Sequence, residues 1–421
     1  MIYDAPVSAE NKQPRSQKPR KKRRPAVKDS DVQGGKYLEP IMRMLKPLHE
    51  HCPDPKRKLH YDEYCAWLVL YFFTPVLDSM RGLQQASDID SLRHRMKLPR
   101  FSLGSFSEAS GLFDPELLVP IVEDIGNAIE DIETDKHLVN LGQRPVAVDG
   151  TLIHAMPKML WALWRDEENR AAKVHLQLDL LKGTPERATV TCGNGSEIEE
   201  LIKTLTAGRL YVTDRGYFSF PLMAAILQKG SSFVGRVRDN IVTETIEERP
   251  ISESAARLGV RVDRIVRAGF DPEKNPVDRP LRLVKIDVPD LGQGRRRSRV
   301  DSKSKSYRTR KTDHTLVILT DRLDLPVETI AALYRYRWQV ELFFRWFKKV
   351  LEADHLLSLS ENGLTIIMYC GLIASMLITL WTGRKPTKRT FEMLCFYFSG
   401  WAEEQELLAH IEKLKVPTKS R

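Results

Sequence analysis

Tyr334, Arg337, Glu341 and Lys348 follow one another at spacings of three, four and seven residues. At about 100° per helical residue, these offsets put all four on one stripe of a single helix. The stripe holds one carboxylate among Arg337, Arg345, Lys348 and Lys349, and the opposite side is apolar: Leu342, Phe343, Trp346, Phe347, Val350 and Leu351. A lone carboxylate in a basic field could hold a metal beside a phosphate. The same pattern suits an amphipathic helix with a solvated polar face, Glu341 pairing with Arg337 or Arg345 at one-turn spacing.

Two further carboxylates bear on that choice. Pro145 to Val148 is a short apolar run ending in Asp149-Gly150, and Leu210 to Thr213 is another, ending in Asp214-Arg215-Gly216. Each is predicted to be a strand, and in α/β sheets functional groups collect at the carboxyl ends of strands. The glycines would let the chain turn and a ligand approach closely. Taken singly, Asp-Gly after a strand usually marks a turn. Taken with Glu341, the aspartates would form a cup of hard oxygen ligands suited to Mg²⁺ or Mn²⁺, with room for two ions about 4 Å apart if carboxylates bridge. Such a pair activates a water or a 3′-hydroxyl for phosphodiester displacement. His175 shares a strand face with Lys173 and either approaches this cup or is a partly buried strand histidine.

The elements that must position these groups are readable in outline. Residues 1–35 are polar and proline-bearing, with a basic run from Lys18 to Arg24, and read as a disordered tail. Residues 36–140 read as helical, with a buried helix over Tyr61 to Leu77, N-caps at Ser107 and Asp114, and Pro115 at a first helical position. At 145 the period changes to that of strands. Val174, Leu176 and Leu178 alternate with Lys173, His175, Gln177 and Asp179, and Ala188 to Thr191 returns after a Gly183-Thr184-Pro185 turn. Helices are predicted over Glu197 to Leu205 and Pro221 to Gln228, and a strand over Ser232 to Arg238. Residues 240–312 alternate strand-like runs with polar turns and carry a second basic stretch, Arg295 to Lys311. Thr315 to Leu319 is a strand. Pro326 then opens a helix that runs, with a break near Tyr336, to about Leu351. The run Asp166-Glu167-Glu168 reads as a solvated loop.

Composition narrows the function. The net charge of +10 and a pI near 9.2 favour a polyanionic partner, most simply nucleic acid. The five cysteines are scattered, which suits a reducing cytosol and argues against a disulfide framework or a zinc ribbon. His49, His51 and Cys52 lack a second ligand cluster and read as surface residues. Leu364 to Trp381 is uncharged and just long enough to span a bilayer, but its isolation and charged flanks favour a buried helix of a soluble protein.

The motifs together carry a resemblance. VAVDGT at 146–151, YVTDRGYFS at 211–219 and Tyr334-x2-Arg337-x3-Glu341-x6-Lys348 are similar to those of the DDE transposases of bacterial insertion sequences, closest to the insertion sequence 4 family. The resemblance covers about residues 145–380. It implies an α/β, ribonuclease H-like mixed sheet flanked by helices, with Asp149, Asp214 and Glu341 as the metal-binding catalytic carboxylates. Tyr334, Arg337 and Lys348 would bind DNA at the terminal phosphates of the transposon end.

The implied organisation is a tail at 1–35, a helical domain at 36–140 that reads terminal inverted repeats, a catalytic core at 141–239 and 313–385, a β-rich basic insertion at 240–312, and a helical region at 386–421. The implied activity is Mg²⁺- or Mn²⁺-dependent cut-and-paste transposition of double-stranded DNA by a homodimer in the bacterial cytoplasm, associated with the nucleoid and not with a membrane. The competing readings are a catalytically inactive, transposase-derived DNA-binding protein and a ribonuclease H-like nuclease without strand transfer. Members that excise through a DNA hairpin hold a flipped base on an aromatic, typically tryptophan. No tryptophan lies in 240–312, where Phe270 and Tyr307, with Phe233 just before, are the substitutes.

Overall fold

Pro75 and the caps Ser79, Ser102 and Asp114 divide the N-terminal third into short helices. The computed structural model describes residues 41–51, 56–154, 158–164, 169–269, 275–287, 315–351 and 357–414. The two basic stretches, Asp166 to Glu168, Cys52, Phe270 and Tyr307 lie outside them. Helix α1 (Tyr61–Phe73) opens with a capping box in which the His60 N–H donates to Glu63 Oε2 at 2.8 Å, and it buries Tyr64, Trp67 and Leu70. It is followed by α2 (Met80–Ser87), α3 (Asp90–Met96), α4 (Leu103–Leu112) and α5 (Val119–Ala128). Ser102, not Ser107, caps α4, accepting the Ser105 N–H at 3.1 Å; Ser107 lies inside that helix. Asp114 does cap, accepting from the Glu116 N–H at 3.0 Å over a 3₁₀ turn (Pro115–Leu118). Pro120 then falls in the first turn of α5, where a missing N–H costs nothing.

One nine-stranded sheet organises the rest. Its strands are β1 (Arg144–His154), β2 (Ala171–Asp179), β3 (Thr184–Cys192), β4 (Arg209–Thr213), β5 (Ser232–Arg236), β6 (Thr243–Glu248), β7 (Val260–Ala268), β8 (Leu281–Asp287) and β9 (Thr315–Thr320). Their order is β3-β2-β1-β4-β5-β9-β8-β7-β6. The β1–β4 and β4–β5 pairs are parallel, and the other pairs are antiparallel. Helices α6 (Glu197–Lys203) and α7 (Phe220–Gln228) carry the two crossovers. The strands of 240–312 therefore extend this sheet through β9 and do not form a separate one. β6, a short and exposed edge strand with no clear alternation, was not expected from the sequence.

Two corrections follow from the sheet. β1 does not end at Asp149-Gly150; it runs on to His154, paired only with β2 beyond the last parallel partners Ala147 and Val212. The polar face of β2 is not open to solvent. His175, Gln177 and Asp179 are buried, as Val174 and Leu176 are on the other face, because α6 packs on that side. Gln177 is satisfied by Thr204 Oγ1 at 2.8 Å and Asp179 by Arg144 Nε at 2.5 Å.

Each face of the sheet has its own core. Ala147, Val174, Leu176 and Val212 join the N-terminal helices, while Val146, Val148, Tyr211 and Phe233 join α6 and α7. A short α8 (Glu253–Arg257) lies in the β6–β7 connection, and after β9 come α9 (Val327–Tyr336), α10 (Trp338–Leu351), α11 (Glu361–Thr382), α12 (Lys388–Phe398) and α13 (Glu404–Leu414). α11 is apolar and long enough to cross a bilayer, yet it lies in the interior against α1, α5 and β3, with the Tyr369 hydroxyl donating to Ala188 O at 2.7 Å. Ser360 caps its start and Gly383, at φ 66°, ends it.

Candidate active site

The parallel register of β1 and β4 aligns the two aspartates. Ala147 faces Val212, so two residues further on Asp149 and Asp214 emerge side by side. The Gly150 N–H donates to Asp149 Oδ1 at 2.9 Å. Asp214 leads into a 3₁₀ turn (Arg215–Tyr217). Its Oδ1 accepts the Tyr334 hydroxyl at 3.0 Å and lies 3.8 Å from Arg236 Nη1 at the end of β5.

Tyr334 and Glu341 are on two helices, not one. The break falls at Arg337, whose N–H is shared between Leu333 O and Tyr334 O at 3.2 Å each. Arg337 is 8% exposed. Its Nη2 donates to Glu341 Oε1 at 2.7 Å, and its guanidinium carbon stands 5.7 Å from the centre of the Tyr334 ring. The one-turn pair expected of a solvated helix is thus present, but Arg337 is buried and turned toward the aspartates. Lys348 and Lys349 are exposed along with Arg345, and among the described residues Lys348 has no ion-pair partner. Leu342, expected on the apolar side, is 46% exposed, whereas Phe343, Trp346 and Phe347 are buried.

The electrostatics separate the two aspartates. Burial pushes Asp149 up to about 6, with the charges of Glu341 and Glu197 adding to it, against the pull of the Gly150 N–H and Arg337. Burial also acts to raise Asp214. The Arg215 N–H, Arg337, the Tyr334 hydroxyl and Arg236 outweigh it and hold that carboxyl below its ordinary value. Tyr334 is pushed up to about 12 by burial and then by Asp214. Burial works to lower Arg337, but the hydrogen bond to Glu341 and the charges of Tyr334 and Asp214 raise it. Partial burial lowers Lys348. One guanidinium therefore offsets charge at Asp149, Asp214 and Glu341.

Sequence reasoning missed Glu197, which opens α6 and carries charge to Asp149. Its signal was weak: a first-turn glutamate after a Ser196 cap. His175 does not approach the aspartates. It faces α6 with Gly150, its Nε2 2.8 Å from Thr191 Oγ1, and burial lowers it to about 4. Phe233 is 1% exposed, so it cannot hold a base. Among the described residues, no three His, Cys, Asp or Glu side chains are gathered closely enough to hold a metal ion. The donor chemistry nonetheless fits a hard divalent cation: all the groups are carboxylates, and Asp149 is raised by burial and then by the charges of Glu341 and Glu197.

Comparison with known proteins is consistent with this geometry. A family model described as a transposase DDE domain matches residues 140–377. A putative transposase, y4zB, of Sinorhizobium fredii is 26% identical over 215 residues, covering 50% of this chain and 53% of that protein. The chain thus spans about half the length of that relative. A probable transposase for the insertion sequence element IS5377 of Geobacillus stearothermophilus is 26% identical over 344 residues, 79% of this chain and 82% of its own. A putative transposase for element IS4SA of Synechocystis is 22% identical over 322 residues, covering 73% and 82%. Among solved structures, a piggyBac transposase synaptic complex with hairpin DNA matches with a TM-score of 0.38 and 13% identity, over 90% of this chain and 83% of that one, too distant to bear on the fold.

Proposed function

Because the chain belongs to the transposase DDE domain family, we propose that it is a DNA transposase of the insertion sequence 4 kind that cuts and rejoins the ends of its own element. The observation that carries the reading is Arg337, one buried cation set among Asp149, Asp214 and Glu341 where two parallel strands end. The strand order β3-β2-β1-β4-β5, with β1, β4 and β5 parallel, supports a ribonuclease H-like core. Residues 240–312 are then its β-rich insertion, and 36–140 the helical region that reads the terminal inverted repeats.

In this reading Asp149, Asp214 and Glu341 hold Mg²⁺ or Mn²⁺, as two ions. When bound, the cation supplies Lewis-acid activation of the phosphodiester. The protein's own groups do the rest. Tyr334 keeps Asp214 ionised and oriented through its hydroxyl. The exposed Lys348 holds phosphate oxygens, and Arg337, its Nη2 kept by Glu341, adds its positive charge to the phosphate from beneath. Lys348 lies about 10 Å along the helix from Glu341, one or two phosphates down a strand. The partner is double-stranded DNA at element ends and target, bound by a homodimer in the bacterial cytoplasm at the nucleoid.

The test is Glu341→Ala. It should abolish Mg²⁺-dependent cleavage of a linear duplex carrying the DNA that flanks the gene, while binding to that duplex is kept. Cleavage at the wild-type rate in this variant would sink the assignment.

A further inference from the structure

Gly150 is not in a turn. It sits inside β1 opposite His175, at a φ any residue adopts, so backbone freedom does not account for it. Space does. A Cβ at 150 would fall 2.7 Å from Glu197 Oε1 and 3.1 Å from its Cδ, so the carboxylate would have to swing aside. A Cβ at Gly216 would lie 3.8 Å from the other oxygen, Oε2. One carboxylate therefore rests between the glycine that follows Asp149 and the glycine that closes the Asp214 turn. Ser196 fixes the start of α6 by accepting the Glu199 N–H at 3.3 Å, which sets Glu197 at the first helical position. Lys173 Nζ stands 3.5 Å from Oε1 and donates to Gly195 O at 2.9 Å, so the carboxylate is steered from behind. Glu197 stays about a third exposed. Glu197 also lines a small cavity with His175, Gln177, Glu200 and Tyr217 that has room for about one water, and among the described residues the Nδ1 of His175, which is 8% exposed, has no hydrogen-bond partner.

We propose that Glu197 is a fourth acidic member of the reaction centre, a positioning residue that strengthens the hold of Asp149 and Asp214 on a divalent cation and reaches them through the gap left by Gly150. This rests on the cation-dependent reading above. It also explains why a glycine interrupts β1 where a β-branched residue would suit the strand. Glu197 acts from outside the set of direct donors, where loss of a supporting group typically weakens metal affinity about 10–100-fold.

The experiment titrates the full chain with Mn²⁺ by electron paramagnetic resonance and, separately, measures the Mn²⁺ concentration that half-saturates cleavage of the flanking-DNA duplex. Glu197→Gln keeps the side-chain shape. It should weaken Mn²⁺ binding about 10–100-fold, shift the half-saturating concentration in parallel, and leave the melting temperature in chelator unchanged. Gly150→Ala should reproduce the binding loss by pushing the carboxylate aside. Lys173→Met breaks the same ion pair but removes a competing cation, so it should bind Mn²⁺ as well as wild type or more tightly. Mn²⁺ affinity unchanged in Glu197→Gln, with Asp149→Asn clearly impaired, overturns the role of Glu197 alone. Equal weakening by Lys173→Met and Glu197→Gln overturns it too, because the pair would then be structural. A wild-type chain that binds no Mn²⁺ overturns the cation reading itself.

Discussion

Replacing Arg337 with methionine should make the protein depend on a divalent cation for stability. The guanidinium offsets charge on Asp149, Asp214 and Glu341 from a site that is 8% exposed. Methionine fills the volume and leaves the carboxylates facing one another, with Arg236 as the nearby cation at 3.8 Å from Asp214. Breaking a fully buried ion pair from one side costs about 3–5 kcal/mol. The Glu341 side chain is 31% exposed, so water compensates in part and the expected loss is about 2–3 kcal/mol. For a chain of this size that corresponds to roughly 2–4 °C in melting temperature. The loss should appear in chelator and shrink with Mg²⁺, since a cation at 100 times its Kd returns about 2.7 kcal/mol. In wild type the same addition should raise the melting temperature less, because Arg337 already balances the charge. Thermal unfolding with and without Mg²⁺ is the assay. If Arg337→Met melts with wild type in chelator, or if Mg²⁺ shifts both proteins equally, Arg337 is not the counter-charge of the site.

Two further outcomes test the fold that carries the site. Arg282 and Asp263, 3% and 2% exposed, form a two-pronged pair at 2.7 Å that ties β8 to β7. Arg282→Met alone should cost about 3–5 kcal/mol in denaturant unfolding, and Arg282→Met with Asp263→Leu should recover most of it; equal losses in the single and double variants would contradict the argument. His175 is lowered to about 4 by burial, so the unfolded state binds the extra proton between pH 6.5 and 4. Its contribution should be complete above pH 6.5 and lost as pH falls toward 4, by at most about 3 kcal/mol; His175→Gln should flatten that slope, and an unflattened one refutes the assignment.

Much of this was legible in the chain because local chemistry decided it. Asp149 and Asp214 each follow a short apolar run, and the break expected near Tyr336 falls one residue later, at Arg337. What was not legible depended on contacts far apart in sequence. Nothing near Arg337 says that it will turn under Tyr334 and away from solvent. The alternation of 173–179 looks half-solvated until α6 covers the polar side. Asp-Gly at 149–150 imitates a turn, and only a carboxylate from residue 197 shows that the glycine is there for space. Ser107 is not a cap because the helix already starts at Leu103, where Ser102 accepts the Ser105 N–H.

The interior placement of α11 has a consequence for when the protein can work at all. This helix closes against α1, α5 and β3, elements made some 170 to 300 residues before it. Until it emerges from the ribosome, the apolar faces of those elements stay open, and Glu341, only just synthesised, has no finished scaffold to meet Asp149. Contacts of such long sequence separation form slowly. A chain stopped short of residue 361 should be inert and prone to proteolysis, so incomplete translation products would not cut DNA.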